Sequence, residues 1–213
     1  SKHSRENENV ILVSSSEENS GKTTVTSNLA LSFAHAQKRV LLIDADLRKS
    51  AISRIFKIPA DFPGLYHYLC GNGEMPGYWK MNRTKDRNVN DNLFILPAGE
   101  LSTEASELLD SRMIEKLVNH ARHNYDYVLI DTPPITKVSD TLIIGNYCKQ
   151  MLFVIRPFLT FRDSIPFAIE QTDHAGIEIL GIVVNGFNLD QATGYYKYGY
   201  GYGYGLQKSK EVV

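Results

Sequence analysis

Six short, almost wholly apolar runs punctuate this chain: Val10 to Ser14, Val40 to Ile43, Leu93 to Leu96, Tyr127 to Ile130, Met151 to Ile155 and Ile179 to Val184. A brief apolar run without polar alternation marks a strand buried on both faces, which arises where helices cover a parallel sheet from both sides. The intervening segments supply such helices. Lys22 to about Gln37 carries Val25, Leu29, Ala30 and Phe33 at helical spacing, and Ala105 to His123 and Phe161 to Ala175 are amphipathic. The alternation predicts an α/β fold with a mostly parallel central sheet, helices on both faces and right-handed crossovers. One domain is expected over 10–188, after a polar lead-in at 1–9 and before a tail at 189–213. Gly71 to Asn92, polar and rich in Gly, Asn and Lys/Arg, reads as a surface insertion.

Composition narrows the classes of function. With 213 residues, 43% hydrophobic and 22% charged, the chain has an ordinary globular make-up. A formal net charge of -1 gives no global pull toward nucleic acid or an acidic membrane, so no nucleic-acid partner is expected and any phosphate site must be local. Cys70 and Cys148 sit in no CxxC or Cys/His pattern, which favours a reducing compartment over a disulfide scaffold or zinc site. His120 and His123 lie three apart without a visible third ligand and read as an exposed pair. Trp79 reads as a loop aromatic. No apolar run approaches the roughly 20 residues of a membrane span. The chain starts at Ser1, and a piece of a longer polypeptide is the expectation.

The strongest local signal is SSSEENSGKTT, residues 14–24. A polar loop leaves the first strand and delivers Gly-Lys-Thr-Thr to a helix start, the arrangement of a P-loop. Its backbone N–H groups and the helix N-terminus suit phosphate oxygens, Lys22 would reach the outer phosphates, and the Thr23 hydroxyl would ligate Mg²⁺. Ser16 stands where the pattern has its first Gly; Asn19, Ser20, Gly21 and Thr24 complete the expected cradle. Two further segments, VLLIDADLRK and YVLIDTPP, end apolar strands on aspartates. That is the carboxyl edge of the sheet, where α/β folds bind ligands. Asp131 reads as an acid that holds Mg²⁺ through water, since Mg²⁺ keeps several waters and takes one or two carboxylates. Asp44 and Asp46 follow the second strand, and the sequence leaves open whether their side chains share a side.

Together these motifs, with VLLIDADLR at 40–48, VLIDTPP at 128–134 and a C-terminal tyrosine cluster, resemble the bacterial tyrosine kinases of exopolysaccharide synthesis, the BY-kinases. PAG before SELL and GIVVNG near the end extend the resemblance over nearly the whole chain. It implies a P-loop, Rossmann-like fold and an ATP- and Mg²⁺-dependent kinase that phosphorylates tyrosines in its own tail between subunits. By that resemblance Lys22, Asp44, Asp46 and Asp131 are catalytic, with Thr23, Asp44 and Asp131 around the metal. Arg48 completes the motif VLLIDADLR, called A′, at the nucleotide, Asn185 matches an adenine-reading asparagine, and Tyr195, Tyr196, Tyr198, Tyr200, Tyr202 and Tyr204 are the acceptors. Because a phenol has a pKa of about 10, it benefits from a carboxylate that takes its proton, and Asp44 is the candidate. The partners implied are a neighbouring subunit in a homo-oligomeric ring, a transmembrane polysaccharide chain-length regulator in cis or in trans, and a protein-tyrosine phosphatase. The location implied is the cytoplasmic face of a bacterial plasma membrane.

Gly between successive tyrosines disfavours strand and helix, so the tail is expected to be flexible enough to enter another subunit's site. Two departures stand out. Glu17 and Glu18 bring negative charge to the phosphate loop, and no E-x-x-R-x-x-R helix precedes it between Ser1 and Val10. The alternatives are a partition or septum-positioning ATPase, whose extra P-loop lysine is replaced here by Glu17, and a nucleotide-gated module whose tail only binds partners.

Overall fold

The structure, a computed structural model, describes residues 9–71, 79–80 and 91–187. Seven strands form one sheet: β1 (Val10–Ser15), β2 (Val40–Asp44), β3 (Trp79–Lys80), β4 (Leu93–Leu96), β5 (Tyr127–Asp131), β6 (Gln150–Ile155) and β7 (Glu178–Val184). Their order is β3-β4-β2-β5-β1-β6-β7, and every pairing is parallel except that of β3 with β4. The helices are α1 (Lys22–His35), α2 (Ile52–Phe56), α3 (Leu65–Cys70), α4 (Ala105–Leu109), α5 (Arg112–Asn124), α6 (Asp140–Cys148) and α7 (Ser164–His174).

Successive strand residues face opposite layers, as the pleat requires. Leu41, Ile43, Val128 and Ile130 join the core beneath α3, α4, α5 and α6, whereas Val40, Leu42 and Leu129 join the smaller core under α1 and α2. All six residues of β1 and all five of β2 are buried, which is why these strands read as unbroken apolar runs. The rim away from the phosphate loop is closed by the Arg39 guanidinium, 5.0 Å from the Phe94 ring and 5.1 Å from that of Tyr125.

The sheet and its mostly parallel pairing agree with the expectation. Three differences have local causes. The amphipathic stretch 105–123 is two helices, because Asp110 leaves helical geometry and Ser111 is extended (φ -130°, ψ 155°). Helix α6 was not anticipated: Asp140, Thr141, Ile144, Gly145 and Cys148 are all buried, and its sequence, DTLIIGNYC, has no sustained polar face to reveal a period of 3.6. Within the expected surface insertion, Trp79–Lys80 pairs antiparallel with β4 as an edge strand. The remainder of that insertion, the lead-in and the tail, with all six candidate acceptor tyrosines, lie outside the described residues apart from Asn9, Gly71 and Asp91–Asn92.

Gly64 precedes α3 where the chain touches the loop after β4. A Cβ there would stand 2.3 Å from both the Gly99 nitrogen and the Pro97 carbonyl oxygen. Backbone cannot yield as a side-chain tip can, so Gly64→Ala is expected to destabilise the domain by about 1–3 kcal/mol, read from the urea midpoint at unchanged m value.

Candidate functional site

Strand β1 ends at Ser15, and the loop that follows is folded by its own polar groups. Ser15 and Ser20 hydroxyls both donate to the Glu17 carbonyl, at 2.6 and 2.8 Å, and Arg156 Nη1 donates to the Asn19 carbonyl at 3.2 Å. Gly21 adopts φ 87°, a left-handed geometry suited to glycine, and Asn185 packs against it. Its Nδ2 donates to the Ser20 carbonyl at 2.9 Å and lies 1.9 Å from where a Cβ on residue 21 would be. Helix α1 then begins at Lys22 with no side-chain cap, leaving the positive end of its dipole directed at the cavity.

Thr23 and Asp131, the residues expected around a metal, converge beneath this loop. Thr23 Oγ1 donates to Asp131 Oδ2 at 2.6 Å and Thr26 Oγ1 to Asp131 Oδ1 at 3.2 Å. Asp44 and Asp131 are partners in the β2–β5 register, and both are buried. Burial and the charge of Asp131 push Asp44 up to about 8, and burial pushes Asp131 up to about 6, opposed by the Thr23 hydrogen bond and by Lys22. Lys22 is itself 8% exposed; desolvation pulls its pKa down while Asp131 and Asp46 pull it back up.

After β2 the chain turns, so Asp44 and Asp46 have different surroundings. Asp44 Oδ2 accepts from the Ser50 hydroxyl at 2.6 Å and the Ile52 N–H at 3.2 Å, while Oδ1 accepts from the Asp46 N–H at 3.2 Å. Asp46 is half-buried and lines a cavity of about 440 Å³, a nucleotide-sized volume. Asn19, Gly21, Lys22, Thr23, Thr24 and Arg48 also reach the wall, whereas Ser16, Ser20, Asp44, Asp131 and Asn185 stand behind it. Six basic side chains line the cavity against two acids, Glu18 and Asp46. The Arg48 guanidinium is paired with Asp140, Nε to Oδ2 at 2.9 Å.

Magnesium and ATP fit these residues. The Thr23 hydroxyl and the Asp131 carboxylate are already within one hydrogen bond of each other, the Ser16 hydroxyl is buried with no partner among the described residues, and the cavity is strongly cationic. No group of three or more His, Cys, Asp or Glu side chains among the described residues could hold a metal; a magnesium ion here would rest on one hydroxyl, one or two carboxylates and phosphate oxygens. Sequence reading missed Asp140 and Ser106, because neither carries a local motif and chain separations of 34 and 92 residues hide their partners.

A loop of this geometry on a parallel sheet, with strand-end acids beside it, defines a P-loop nucleotide-binding domain. A family model described as an AAA domain matches residues 8–151. The chain is 34% identical over 184 residues to the tyrosine-protein kinase CpsD of Streptococcus agalactiae serotype III, covering 86% of this chain and 77% of that protein. It is also 34% identical to the tyrosine-protein kinase wzc of Salmonella typhi, over 90% of this chain but only 26% of the relative's length. The kinase domain of the Escherichia coli tyrosine kinase ETK superposes with a TM-score of 0.79 at 28% identity, covering 95% of this chain and 74% of that one. The septum site-determining protein MinD of Pyrococcus horikoshii, solved with Mg-ADP, shares the fold at a TM-score of 0.66 and 22% identity. The chain belongs to the bacterial tyrosine kinase family and is a catalytic domain of that class.

Asp131, raised above its unfolded value, stabilises the fold only while protonated, so its contribution is full below pH 4 and lost as pH rises through about 6. In metal-free protein, Asp131→Asn should therefore gain stability over wild type between those values, by about 1–3 kcal/mol above pH 7, in parallel denaturant titrations.

Proposed function

We propose that this kinase transfers the γ-phosphoryl group of ATP to the tyrosines of its own tail, Tyr195 to Tyr204, presented by a neighbouring subunit. The observation that carries the reading is the convergence of Thr23, Asp131 and Lys22 under a phosphate loop whose cavity is rich in cations and edged by Asp46. Phosphoryl transfer is mainly positioning and charge stabilisation, which such a site supplies. Bound Mg²⁺ would neutralise phosphate oxygens and hold their geometry, with Thr23 and Asp131, backed by Asp44, as its protein residues. Lys22 offsets the remaining charge on the outer phosphates, and the first turn of α1 directs its N–H groups at them. The tail's phenol oxygen bonds to the γ-phosphorus as the bond to the bridging oxygen breaks; ADP leaves, and the phenol proton passes to the A′ carboxylates. Asp46 faces the cavity, and Asp44 is joined to it through the Asp46 N–H.

Each phosphate added to the tail brings about -1.5 to -2 charges, so a heavily modified tail repels its neighbours. Cycles of phosphorylation would loosen a subunit ring and a phosphatase would reset it, regulating exopolysaccharide polymerisation and export with a transmembrane chain-length regulator at the inner face of the plasma membrane.

The test is incubation with labelled ATP and Mg²⁺, followed by anti-phosphotyrosine detection. Label is expected on the tail, falling at least ~100-fold in Lys22→Met and disappearing on deletion of residues 189–213. Asp44→Asn and Asp46→Asn should each lower the rate at least ~10-fold. Nucleotide uptake with an unlabelled tail would overturn the proposal in favour of a switch ATPase or a binding module. Light scattering reads the ring: an identical size for phosphorylated and dephosphorylated protein removes the regulatory part.

A further inference from the structure

We propose that Asp140 is a positioning residue for phosphoryl transfer, acting through Arg48 to aim the Asp46 carboxylate into the nucleotide cavity; the role rests on the kinase reading of that cavity. Asp140 is the first residue of α6 and its side chain is fully buried. A buried carboxylate needs compensation, and three donors on two side chains provide it. Arg48 Nε reaches Oδ2 at 2.9 Å and Nη2 reaches Oδ1 at 3.3 Å, a bidentate pair, while the Ser106 hydroxyl donates to Oδ1. Arg48 Nη2 also donates to Ser106 Oγ at 3.0 Å, and Nη1 donates to the Thr103 carbonyl at 3.3 Å. Every nitrogen of the guanidinium thus has a protein acceptor, although Arg48 forms part of the cavity wall. Such a group holds the wall in place rather than reaching for a phosphate.

What it holds is the A′ turn. The Arg48 and Lys49 N–H groups both donate to Asp46 Oδ1, at 3.3 and 2.9 Å, which ties down one carboxylate oxygen and leaves the other free of this turn. The Asp46 N–H in turn donates to Asp44. The other end of the clamp is equally fixed. Beside Asp140, the Thr141 hydroxyl donates to the Pro133 carbonyl at 2.7 Å, and the Ser14 hydroxyl of β1 donates to the same oxygen at 2.8 Å. Asp140 therefore links the loop after β2 to the loop after β5, so that Asp46 and Asp131 keep one relative position. A residue misplaced by about 1 Å at such a site can cost on the order of 10²-fold in rate while leaving binding by other groups intact.

The test uses the full chain with Mg-ATP and its own tail as acceptor. Asp140→Asn should lower kcat at least ~10-fold while nucleotide Kd stays within about 3-fold, because neither Asp140 nor Arg48 hydrogen-bonds the phosphate loop. In an Asp46→Asn background the same change should add less than about 2-fold, since it has lost the group it positions. The Arg48 Nε–H resonance, protected in the wild type, should broaden or vanish in Asp140→Asn. Equal losses of kcat with and without Asp46 would overturn the proposal, as would a loss confined to Kd. Ser106→Ala keeps both charges and serves if Asp140→Asn does not fold; about a 3-fold loss of kcat with the same dependence on Asp46 is expected, and no loss would overturn the role. A wild-type chain that labels no tyrosine refutes the kinase reading and this role with it, whereas labelling indifferent to Asp140→Asn refutes only the role.

Discussion

Two carboxylates set side by side in a dry place govern this molecule. Asp44 and Asp131 end adjacent parallel strands at paired positions, with 0% and 1% of their surfaces exposed. Two like charges so placed cannot both ionise unless something positive joins them, because the low local dielectric magnifies their repulsion and denies each its hydration. Lys22 supplies one positive charge but is itself short of water. With burial and the neighbouring charge pushing Asp44 up to about 8, the domain holds a proton on that acid at neutral pH.

The sheet order is what imposes that proximity. Strand β1 lies between β5 and β6, and β5 lies between β1 and β2, so the phosphate loop, the Asp131 strand end and the Asp44 strand end form consecutive positions along one rim. The apolar alternation that covers both faces with helices is therefore also what brings three distant stretches of chain together at the carboxyl edge. Buried hydroxyls then fasten the rim. Ser14 and Thr141 meet on the Pro133 carbonyl, the Thr132 N–H and hydroxyl both donate to the Val13 carbonyl, and Thr136 donates to the Ser16 carbonyl.

Most of the sheet was legible because a strand buried on both faces announces itself as an apolar run, and β1, β2 and β5 do so almost to the residue. The strand order was not legible, since parallel strands joined by crossovers carry no local record of their neighbours. Helix α6 was hidden by the same burial that exposed the strands: with Ile144, Gly145 and Cys148 all inside, no polar face remained to give a period. At the site, Gly21, Lys22, Thr23 and Asp131 were readable from motif spacing. The different surroundings of Asp44 and Asp46 depend on a turn whose Asp46 N–H bonds back to Asp44, a feature that the letters DAD leave open in either direction. Asp140 was invisible for a related reason, because its meaning lies in Arg48, 92 residues away.

The acids of the phosphate loop raise the reverse question, why a site for polyphosphate carries negative charge. Glu17 contributes its carbonyl to the fold of the loop, as the acceptor for Ser15 and Ser20. Glu18 is held by Lys49 at 2.9 and 3.0 Å, and that hydrogen bond and charge keep its carboxyl below the usual range, so it stays ionised and paired. Both partners are substantially exposed, at 43% and 70%, and pairs of that kind are weak. Glu18 thus neutralises a cation at the rim, and the positive charge deeper in is left to Lys22 and the N-terminal end of α1.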